Sequence, residues 1–348
     1  MRADTSAASL RTRLLAGLVI PAHPLALRSD RRFDERRQRA LTRYYLAAGA
    51  GGLAMGVHTT QFEIRDPRHG LLEPVLAVAA DEASRAAERP VLVAGACGPT
   101  PQAVREAEMA ASLGYDCVLL SLAALSDASD AELVRHCRAV GQVIPLFGFY
   151  LQVAVGGRPL GLSFWRSFLA LPEVVAVKVA PFDRYRTLDV VRALAEVDRR
   201  DEVALYTGND DHIILDLLMP WPDGHPGYAF AGGLLGQWAV GARAAAEAFH
   251  RVRAWRSSGC VPREALVLAE QVTETNAALF DAANGFRGCI PGIHDVLHRQ
   301  GLLAGNWCLD PSACLSLGQS EEIERVRAAY PHLHDDDFVR DNLEQWLT

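Results

Sequence analysis

The amino-acid sequence predicts an α/β protein, a (β/α)8 TIM barrel with a C-terminal helical appendage. Eight apolar or β-branched runs alternate with amphipathic segments over about 240 residues, the usual length of such a barrel. No strand candidate follows Cys260, where only helical spacing continues. A doubly wound sheet is the alternative, but it usually has fewer units and a glycine-rich first turn, whereas the first turn here runs from Pro21 to Pro24.

The strand candidates, in chain order, are residues 17–22, 52–57, 90–96, 117–122, 143–150, 174–180, 203–207 and 227–232. The helix candidates between and after them are 34–49, 72–88, 101–113, 130–140, 163–171, 185–199, 210–219 and 236–257. Start signals are Asp34, Thr100, Asp130 and Ser163, and stop signals are Gly49, Gly51 and Gly114.

Three regions follow from this pattern. Residues 1–16 are an N-terminal extension, and residues 17–258 form the barrel, which carries the catalytic site. Residues 259–348 form a helical region with helix candidates at 262–284, 291–303, 319–330 and 337–347. We interpret this last region as an appendage of the barrel.

Composition limits the possible partners and location. The chain has 348 residues, a net charge of −7 and no basic stripe, so we expect no nucleic-acid partner. Its seven cysteines are scattered singly, which argues against a disulfide framework. The N-terminus lacks the apolar core of a signal peptide or a membrane span, so we expect a soluble, cytoplasmic protein.

The chain contains a single lysine, Lys178, beside 34 arginines. It lies inside the β-branched run 174–180. An arginine stays protonated, whereas a desolvated lysine amine can lose its proton and attack a carbonyl. The simplest interpretation is a lysine that forms a Schiff base. The alternative is a snorkelling or ion-paired lysine without a chemical role.

Side-chain alternation predicts what surrounds this lysine. Ala176, Lys178 and Ala180 share the face expected to line the barrel interior, and the valines between them face the helices. In the fifth strand, Tyr150 shares a face with Leu146 and Gly148. We expect this face to point inward, which places a phenol beside the amine for proton transfer.

These residues resemble a known family. Tyr150 and Lys178 stand 28 positions apart, as in the dihydrodipicolinate synthase/N-acetylneuraminate lyase family of pyruvate-dependent class I aldolases. The second strand ends at Thr59 and Thr60, similar to the family's Gly-Thr-Thr-Gly-Glu turn. The seventh ends in a turn from Thr207 to Asp211 that resembles its Gly-Asp-Asp turn. The likeness runs from about residue 17 to about residue 330.

The resemblance implies a role for each matching residue. Lys178 would form the Schiff base with pyruvate or a related 2-oxo acid, and Tyr150 would relay protons with the help of Thr59. Thr60 and nearby amides would hold the carboxylate, and Gly208 would belong to the substrate-binding turn. No external cofactor and no metal would be needed, and the assembly would be a homo-oligomer, a dimer or a tetramer.

The departures from the family pattern concern the second substrate. Gln61 and Phe62 replace the Gly-Glu that follows the threonines, and residues 121–126 lack the synthases' aromatic pair. Val155 stands where the synthases have an arginine, and Arg158 is the nearest substitute for it. We therefore expect a Schiff-base lyase or synthase of aldolase or dehydratase type that is not a true dihydrodipicolinate synthase.

Histidines add further candidates. His23 and His58 follow the first two strands and are expected to bind substrate or move protons, or else to be packed barrel-top residues. His294 and His298 have helical spacing without a third ligand, so we expect an exposed helix face and no metal site.

Two other classes of function stay open. One is a non-catalytic ligand-binding or structural protein of the same fold. The other is a barrel that holds a pyridoxal cofactor on the lysine, with the turns at Gly208 and Gly232 contributing to a phosphate cup.

Overall fold

The computed structural model describes residues 7–348 and confirms the predicted fold class. Eight parallel strands form a (β/α)8 barrel in the order β1-β8-β7-β6-β5-β4-β3-β2, alternate with helices along the chain, and precede a set of C-terminal helices. The strands are β1 Val19–Pro21, β2 Gly52–Met55, β3 Val91–Ala96, β4 Cys117–Leu120, β5 Leu146–Leu151, β6 Val174–Ala180, β7 Ala204–Thr207 and β8 Phe230–Leu235.

Helices follow the strands, and one helix precedes them. In chain order they are α1 Ala7–Leu15, α2 Glu35–Ala47, α3 Leu72–Ser84, α4 Thr100–Ser112, α5 Asp130–Gly141, α6 Leu162–Leu169, α7 Arg184–Glu196, α8 Ile213–Leu217 and α9 Ala242–Ser258. The C-terminal region adds α10 Arg263–Leu279, α11 Cys289–Arg299, α12 Gln319–Ala329 and α13 Asp336–Trp346.

The chain divides into two compact units that differ from the three predicted regions. The first unit comprises Met1–Leu18, described from residue 7, and Val91–Leu234. The second comprises Val19–Pro90 and Leu235–Thr348. The predicted boundaries at residues 16 and 258 stay predictions.

In the first unit, α1 is hydrogen-bonded to the start of β6 and to β7. The guanidinium of Arg11 donates to the carbonyls of Pro172, at 2.5 Å, and Val174, at 3.2 Å, where β6 begins. The hydroxyl of Tyr206, on β7, donates to the carbonyl of Leu14 at 2.8 Å. The described part of the N-terminal extension is therefore a packed element of this unit.

In the second unit, β1 and β2 pair in parallel. Ala22 is bridged to Ala54, and the amide of His23 donates to the Ala54 carbonyl at 2.9 Å. The amide of Ala22 also donates to the carbonyl of Leu235, the last residue of β8, at 3.0 Å. These bonds join the chain's first and last strand ends.

The C-terminal tail supplies the cap of α9. The buried carboxylate of Asp335 accepts the amides of Arg243, at 2.7 Å, and Ala244, at 2.9 Å. It also accepts the hydroxyl of Tyr44 at 2.6 Å. A helix leaves its first amides without intrahelical partners, and a carboxylate there also meets the positive end of the helix dipole. Asp335 therefore has a structural role, which was not predicted from the sequence.

Two predictions, one about the eighth strand and one about His294, are wrong. The eighth strand starts at Phe230, three residues later than Gly227, because Gly227 adopts a φ of +93° and still belongs to the preceding turn. Gly232 consequently lies inside β8, where a Cβ would sit 2.3 Å from the Leu18 carbonyl oxygen. It cannot belong to a phosphate cup at a strand end.

His294 is also not exposed. Its side chain is fully buried on α11, and Nδ1 lies 2.9 Å from the carbonyl oxygen of Trp307. Among residues 7–348, no three His, Cys, Asp or Glu side chains converge as a metal ion requires. No helix in that range is long and apolar enough to cross a membrane.

Candidate active site

Lys178 lies near the carboxyl end of β6, a strand in which every residue is buried. Only 8% of the lysine is exposed. The valines of β6 face the helices, as predicted. Val177 pairs with Gly148 of β5, and a Cβ added to Gly148 would lie 2.6 Å from the Phe168 ring of α6 and 3.4 Å from Val177. Lys178 therefore belongs to the opposite face of the sheet.

Phe149 is the residue of β5 that pairs with Lys178. The amine Nζ lies 4.8 Å from the centroid of the Phe149 ring. On the other side, Lys178 pairs with Tyr206 of β7, whose hydroxyl is already bound to Leu14. A cation near the face of an aromatic ring is stabilised by the ring quadrupole, so Phe149 favours a positive charge at Nζ.

Gly208, predicted to be part of the site, does lie against Lys178. A Cβ at this position would sit 2.5 Å from Lys178 Cε and 2.8 Å from Ala180 Cβ. Such contacts are too short for any side chain, so the space that glycine leaves is filled by the lysine stem. The turn after β7 thus fixes the path of the lysine.

Tyr150 is not beside Lys178, which contradicts its predicted orientation. It pairs with Val179, and its ring packs 5.1 Å from the Trp165 ring of α6. Its hydroxyl donates to the carbonyl of Leu160 at 3.1 Å and accepts the Leu160 amide at 3.2 Å. Burial raises the pKa of the phenol above its usual value. In this structure the phenol is a packing and hydrogen-bonding group of the helix layer.

A bulge explains this error. The register begins with Leu146 opposite Val174, which by simple counting would place Tyr150 opposite Lys178. The pairing then shifts, and Phe147 lies opposite Ala176. One extra residue in β6 reverses the face of every later partner, because side chains alternate with a period of two.

A buried polar network joins the ends of β6 and β7. Asp216 is fully buried on α8. Its carboxylate accepts hydrogen bonds from the Thr207 hydroxyl at 2.7 Å and from the side-chain amide of Asn209 at 2.9 Å. The side-chain oxygen Oδ1 of Asn209 accepts the main-chain amide of Phe182 at 3.0 Å. Because Asn209 follows Gly208 directly, this network fixes the turn that packs on Lys178.

Arg184 and His212 complete the network at its half-exposed edge. The guanidinium of Arg184 pairs with the second oxygen of Asp216, and Nδ1 of His212 lies 3.2 Å from the same oxygen. Asp216 was not among the residues predicted from the sequence. The sequence feature that could have indicated it is a lone carboxylate within the apolar run 213–218. A carboxylate buried in such a run requires polar partners.

In the second unit, Thr59 and Thr60 form a short 3-10 turn with His58 after β2. Both threonines are buried, and the Thr60 hydroxyl donates to the His23 carbonyl at 2.7 Å. The Thr59 hydroxyl points to the same oxygen at 3.4 Å. His58 is half-buried, with its ring 6.1 Å from that of Phe62. The predicted roles of His58, Thr59 and Thr60 in binding or proton transfer stay predictions.

Of the two alternatives for His23, substrate contact or packing, the structure shows packing of the side chain. It is fully buried against α2, where Nε2 lies 3.0 Å from the Thr42 hydroxyl and Nδ1 2.9 Å from the Gln38 amide nitrogen. Its ring meets the Tyr45 ring edge-on at 4.9 Å. Burial lowers the pKa of His23 to about 4. It is a neutral packing residue in this structure.

Arg158 is engaged by the main chain. Its guanidinium donates to the carbonyl of Ala128 at 3.0 Å and also to the carbonyl of Leu125. These bonds tie the loop after β5 to the loop after β4, so the arginine stabilises two loops. A substrate carboxylate would have to compete with both carbonyls for it.

Comparison with known proteins places the chain by its fold. No protein-family model matches the sequence, and no curated protein does. A dihydrodipicolinate synthase structure from Oceanobacillus iheyensis has a TM-score of 0.75 and 16% identity, with 94% of this chain and 99% of that one covered. An N-acetylneuraminate lyase structure from Fusobacterium nucleatum has a TM-score of 0.71 and 16% identity, covering 91% and 99%.

A prophage protein of the dihydrodipicolinic acid synthase family from Escherichia coli K12, in complex with pyruvate, is also similar. Its TM-score is 0.72 at 15% identity, with 90% of this chain and 97% of that one covered. The chain therefore shares the fold of these proteins along nearly its whole length.

Proposed function

We propose that this protein is a class I lyase or synthase that forms a Schiff base between Lys178 and pyruvate or a related 2-oxo acid. The observation that carries the proposal is the chain's single lysine, nearly buried near the carboxyl end of a barrel strand. The proteins of the same fold include one solved with pyruvate, which supports the choice of substrate class.

The chemistry follows from an amine in a largely apolar setting. The neutral amine adds to the 2-oxo carbon, and the resulting carbinolamine loses water to give an iminium ion. This ion accepts the electron pair when the neighbouring carbon loses a proton or its next carbon–carbon bond breaks, which gives an enamine. The enamine returns the pair when it attacks a second carbonyl carbon or expels a hydroxide from the next carbon. The lysine thus supplies the electron sink, and no external cofactor is required.

Two neighbours of Lys178 suit this chemistry. The Phe149 ring, 4.8 Å from Nζ, favours the positively charged iminium. Gly208 leaves the space that the lysine stem fills, which limits the number of conformations open to it. The network around Asp216 and Asn209 would preserve this arrangement during turnover.

Proton transfer is the step for which the structure departs from the family's pattern. Tyr150 would have to leave both bonds to Leu160 and turn to the other face of β5 to act. His58, Thr59 and Thr60 remain the proposed binding and proton-transfer groups on the basis of the resemblance alone. We propose that the relay in this protein does not depend on Tyr150.

We also propose that the second substrate is not aspartate semialdehyde. Val155 is an apolar residue of the short 3-10 turn after β5, and Arg158 is engaged by two carbonyls. A carboxylate is usually held by a bidentate or charged partner. A coupled assay beside a genuine synthase tests this, and a kcat/KM in the range of about 10⁴–10⁸ M⁻¹s⁻¹ would contradict it.

Borohydride trapping tests the central proposal. We expect sodium borohydride and pyruvate to add one reduced adduct, which peptide mapping places on Lys178. Lys178→Met, which keeps an unbranched apolar stem and removes the amine, should fold and give no adduct. The absence of an adduct with every 2-oxo acid of a panel, from a folded wild-type protein, contradicts the proposal.

The non-catalytic alternative has one observation in its favour, the phenylalanine that faces Lys178 where a proton-transferring phenol was expected. A binding protein of this kind would form the adduct without multiple turnover. Product release in excess of one equivalent per chain distinguishes the enzyme from the binding protein. The homo-oligomeric state and the cytoplasmic location stay predictions.

A further inference from the structure

The exposed side of α7 carries large apolar side chains. Tyr185 is 85% exposed and Leu188 is 39% exposed, and they lie one turn apart. Arg192 and Ala195 continue the same stripe, because spacings of three and four residues keep side chains on one face of a helix. Large apolar side chains that are exposed side by side typically mark an interaction surface.

A groove of about 610 Å³ lies beside this stripe. Pro222 and Asp223, in the loop before β8, line it together with residues of α7. The guanidinium of Arg200 lies 4.9 Å from the centroid of the Trp221 ring and also pairs with Asp223. This loop is therefore held in place, and the groove has a fixed wall.

Two carboxylates of α7 line the groove, and they differ in their partners. Glu196 is paired with Arg192 at 2.8 Å and also with Arg166. No ion pair within residues 7–348 includes Asp189. Because Glu196 would keep Arg166, Arg192 can exchange its partner without leaving a carboxylate unpaired. The stripe thus offers an unpaired carboxylate and, one turn away, an arginine that can pair with another chain.

We propose that a second copy of this chain binds at this groove, with the two α7 helices antiparallel about a two-fold axis. The axis would pass midway between Leu188 and Arg192, which is also midway between Tyr185 and Ala195. Each Tyr185 ring would then pack over the small Ala195 side chain of the other copy, and each Asp189 would pair with the other copy's Arg192. A two-fold axis makes every such contact twice.

Self-complementarity favours a second copy over other occupants of the groove. One stripe supplies both members of each contact, the protruding ring with the small side chain and the carboxylate with the arginine. An unrelated protein or a small apolar ligand would use only some of these groups. The surface gives the predicted homo-oligomer a specific interface, and it does not depend on the Schiff-base chemistry.

Charge reversal in the full-length chain tests the geometry, with sedimentation velocity as the measurement. Asp189→Arg would place two arginines against each other, and Arg192→Asp would place two aspartates against each other. We expect each variant alone to form assemblies with half as many copies as wild type. An equimolar mixture of the two variants should restore the wild-type assembly, because every pair again joins opposite charges. Arg135→Asp, at an exposed position on α5, is the control and should sediment as wild type does.

Tyr185→Ala tests the interface without a change of charge, and it decides the question if a charge variant fails to fold. Loss of a central aromatic contact should weaken self-association by about tenfold or more. A wild type that is monomeric across a concentration series overturns the proposal, since the groove would then serve another occupant. Folded single variants that keep the wild-type assembly, or a mixture that stays dissociated, also overturn it.

Discussion

Phe149, and not Tyr150, lies directly opposite Lys178 in the pairing of β5 with β6. The amine faces an aromatic ring without a hydroxyl, and the phenol faces the helices. This relationship separates two properties that the family resemblance combines, imine formation and a tyrosine proton relay. It also makes the consequences of mutating these residues distinguishable.

Tyr150→Phe should lower stability and leave turnover nearly unchanged. The hydroxyl exchanges two hydrogen bonds with Leu160, so its removal should cost about 1–2 kcal/mol of unfolding free energy. Urea unfolding and steady-state kinetics on the same preparations measure both effects. A fall in turnover of about 10²–10⁴-fold, typical of a lost acid–base group, would mean that Tyr150 turns inward during catalysis.

Gly208→Ala should impair imine formation more than folding. The added methyl group would sit 2.5 Å from Lys178 Cε, so the lysine stem must move. Overpacking of this kind costs about 1–3 kcal/mol of stability. We expect adduct formation to slow by about tenfold or more, since small displacements of a reacting group are costly. Gly161→Ala, where a Cβ has only an ordinary contact at 3.9 Å, is the matched control.

Asp216→Ala should be among the more destabilising single changes in the first unit. It leaves the buried Thr207 hydroxyl and Asn209 amide without their shared acceptor, and Arg184 without its carboxylate. Each unsatisfied buried group costs about 1–3 kcal/mol, so we expect a loss of at least about 3 kcal/mol. Removal of an exposed carboxylate, as in Asp201→Ala, should change the unfolding free energy by less than about 0.5 kcal/mol.

Acid should destabilise the second unit through its buried histidines. Burial lowers the pKa of His23 and of His294 to about 4, from an ordinary value of about 6.5. Between these values the unfolded chain binds more protons than the folded one, so stability falls as the pH drops from about 6.5 to 4. The loss should reach up to about 3 kcal/mol per histidine.

Denaturant unfolding at a series of pH values measures the slope of the unfolding free energy against pH. His294→Gln should flatten it, because the variant has no group to protonate at that buried position. His250→Gln, at an exposed position on α9, should leave the slope as it is in wild type. An unchanged slope in His294→Gln would contradict the assignment.

The sequence predicted what depends on local pattern. The alternation of strands and helices gave the fold class, and side-chain periodicity placed Lys178 on the correct face of β6. Spacing along the chain could not reveal the bulge after Leu146, because a bulge depends on pairing between strands that the sequence does not encode locally. Tyr150 was misplaced for that reason alone.

Long-range polar contacts were equally invisible in the sequence. The position of His23 after a strand left substrate contact and packing equally open, and Gln38 and Thr42 of the next helix decide for packing. Arg158 was considered a carboxylate ligand because of its position after the tyrosine, and two carbonyls of another loop bind it. In both cases the partner, and not the residue type, decides the role.

The Asp335 cap on α9 has a consequence for biosynthesis. The amides of Arg243 and Ala244 receive their partner only after residue 335 has left the ribosome, close to the end of translation. Residues 91–234 are contiguous and contain five of the eight strands in full, whereas the other unit combines residues 19–90 with the C-terminal residues 235–348. We therefore expect the nascent chain to acquire protease resistance in the middle first, and a chain arrested before residue 335 to remain cleavable near residue 242.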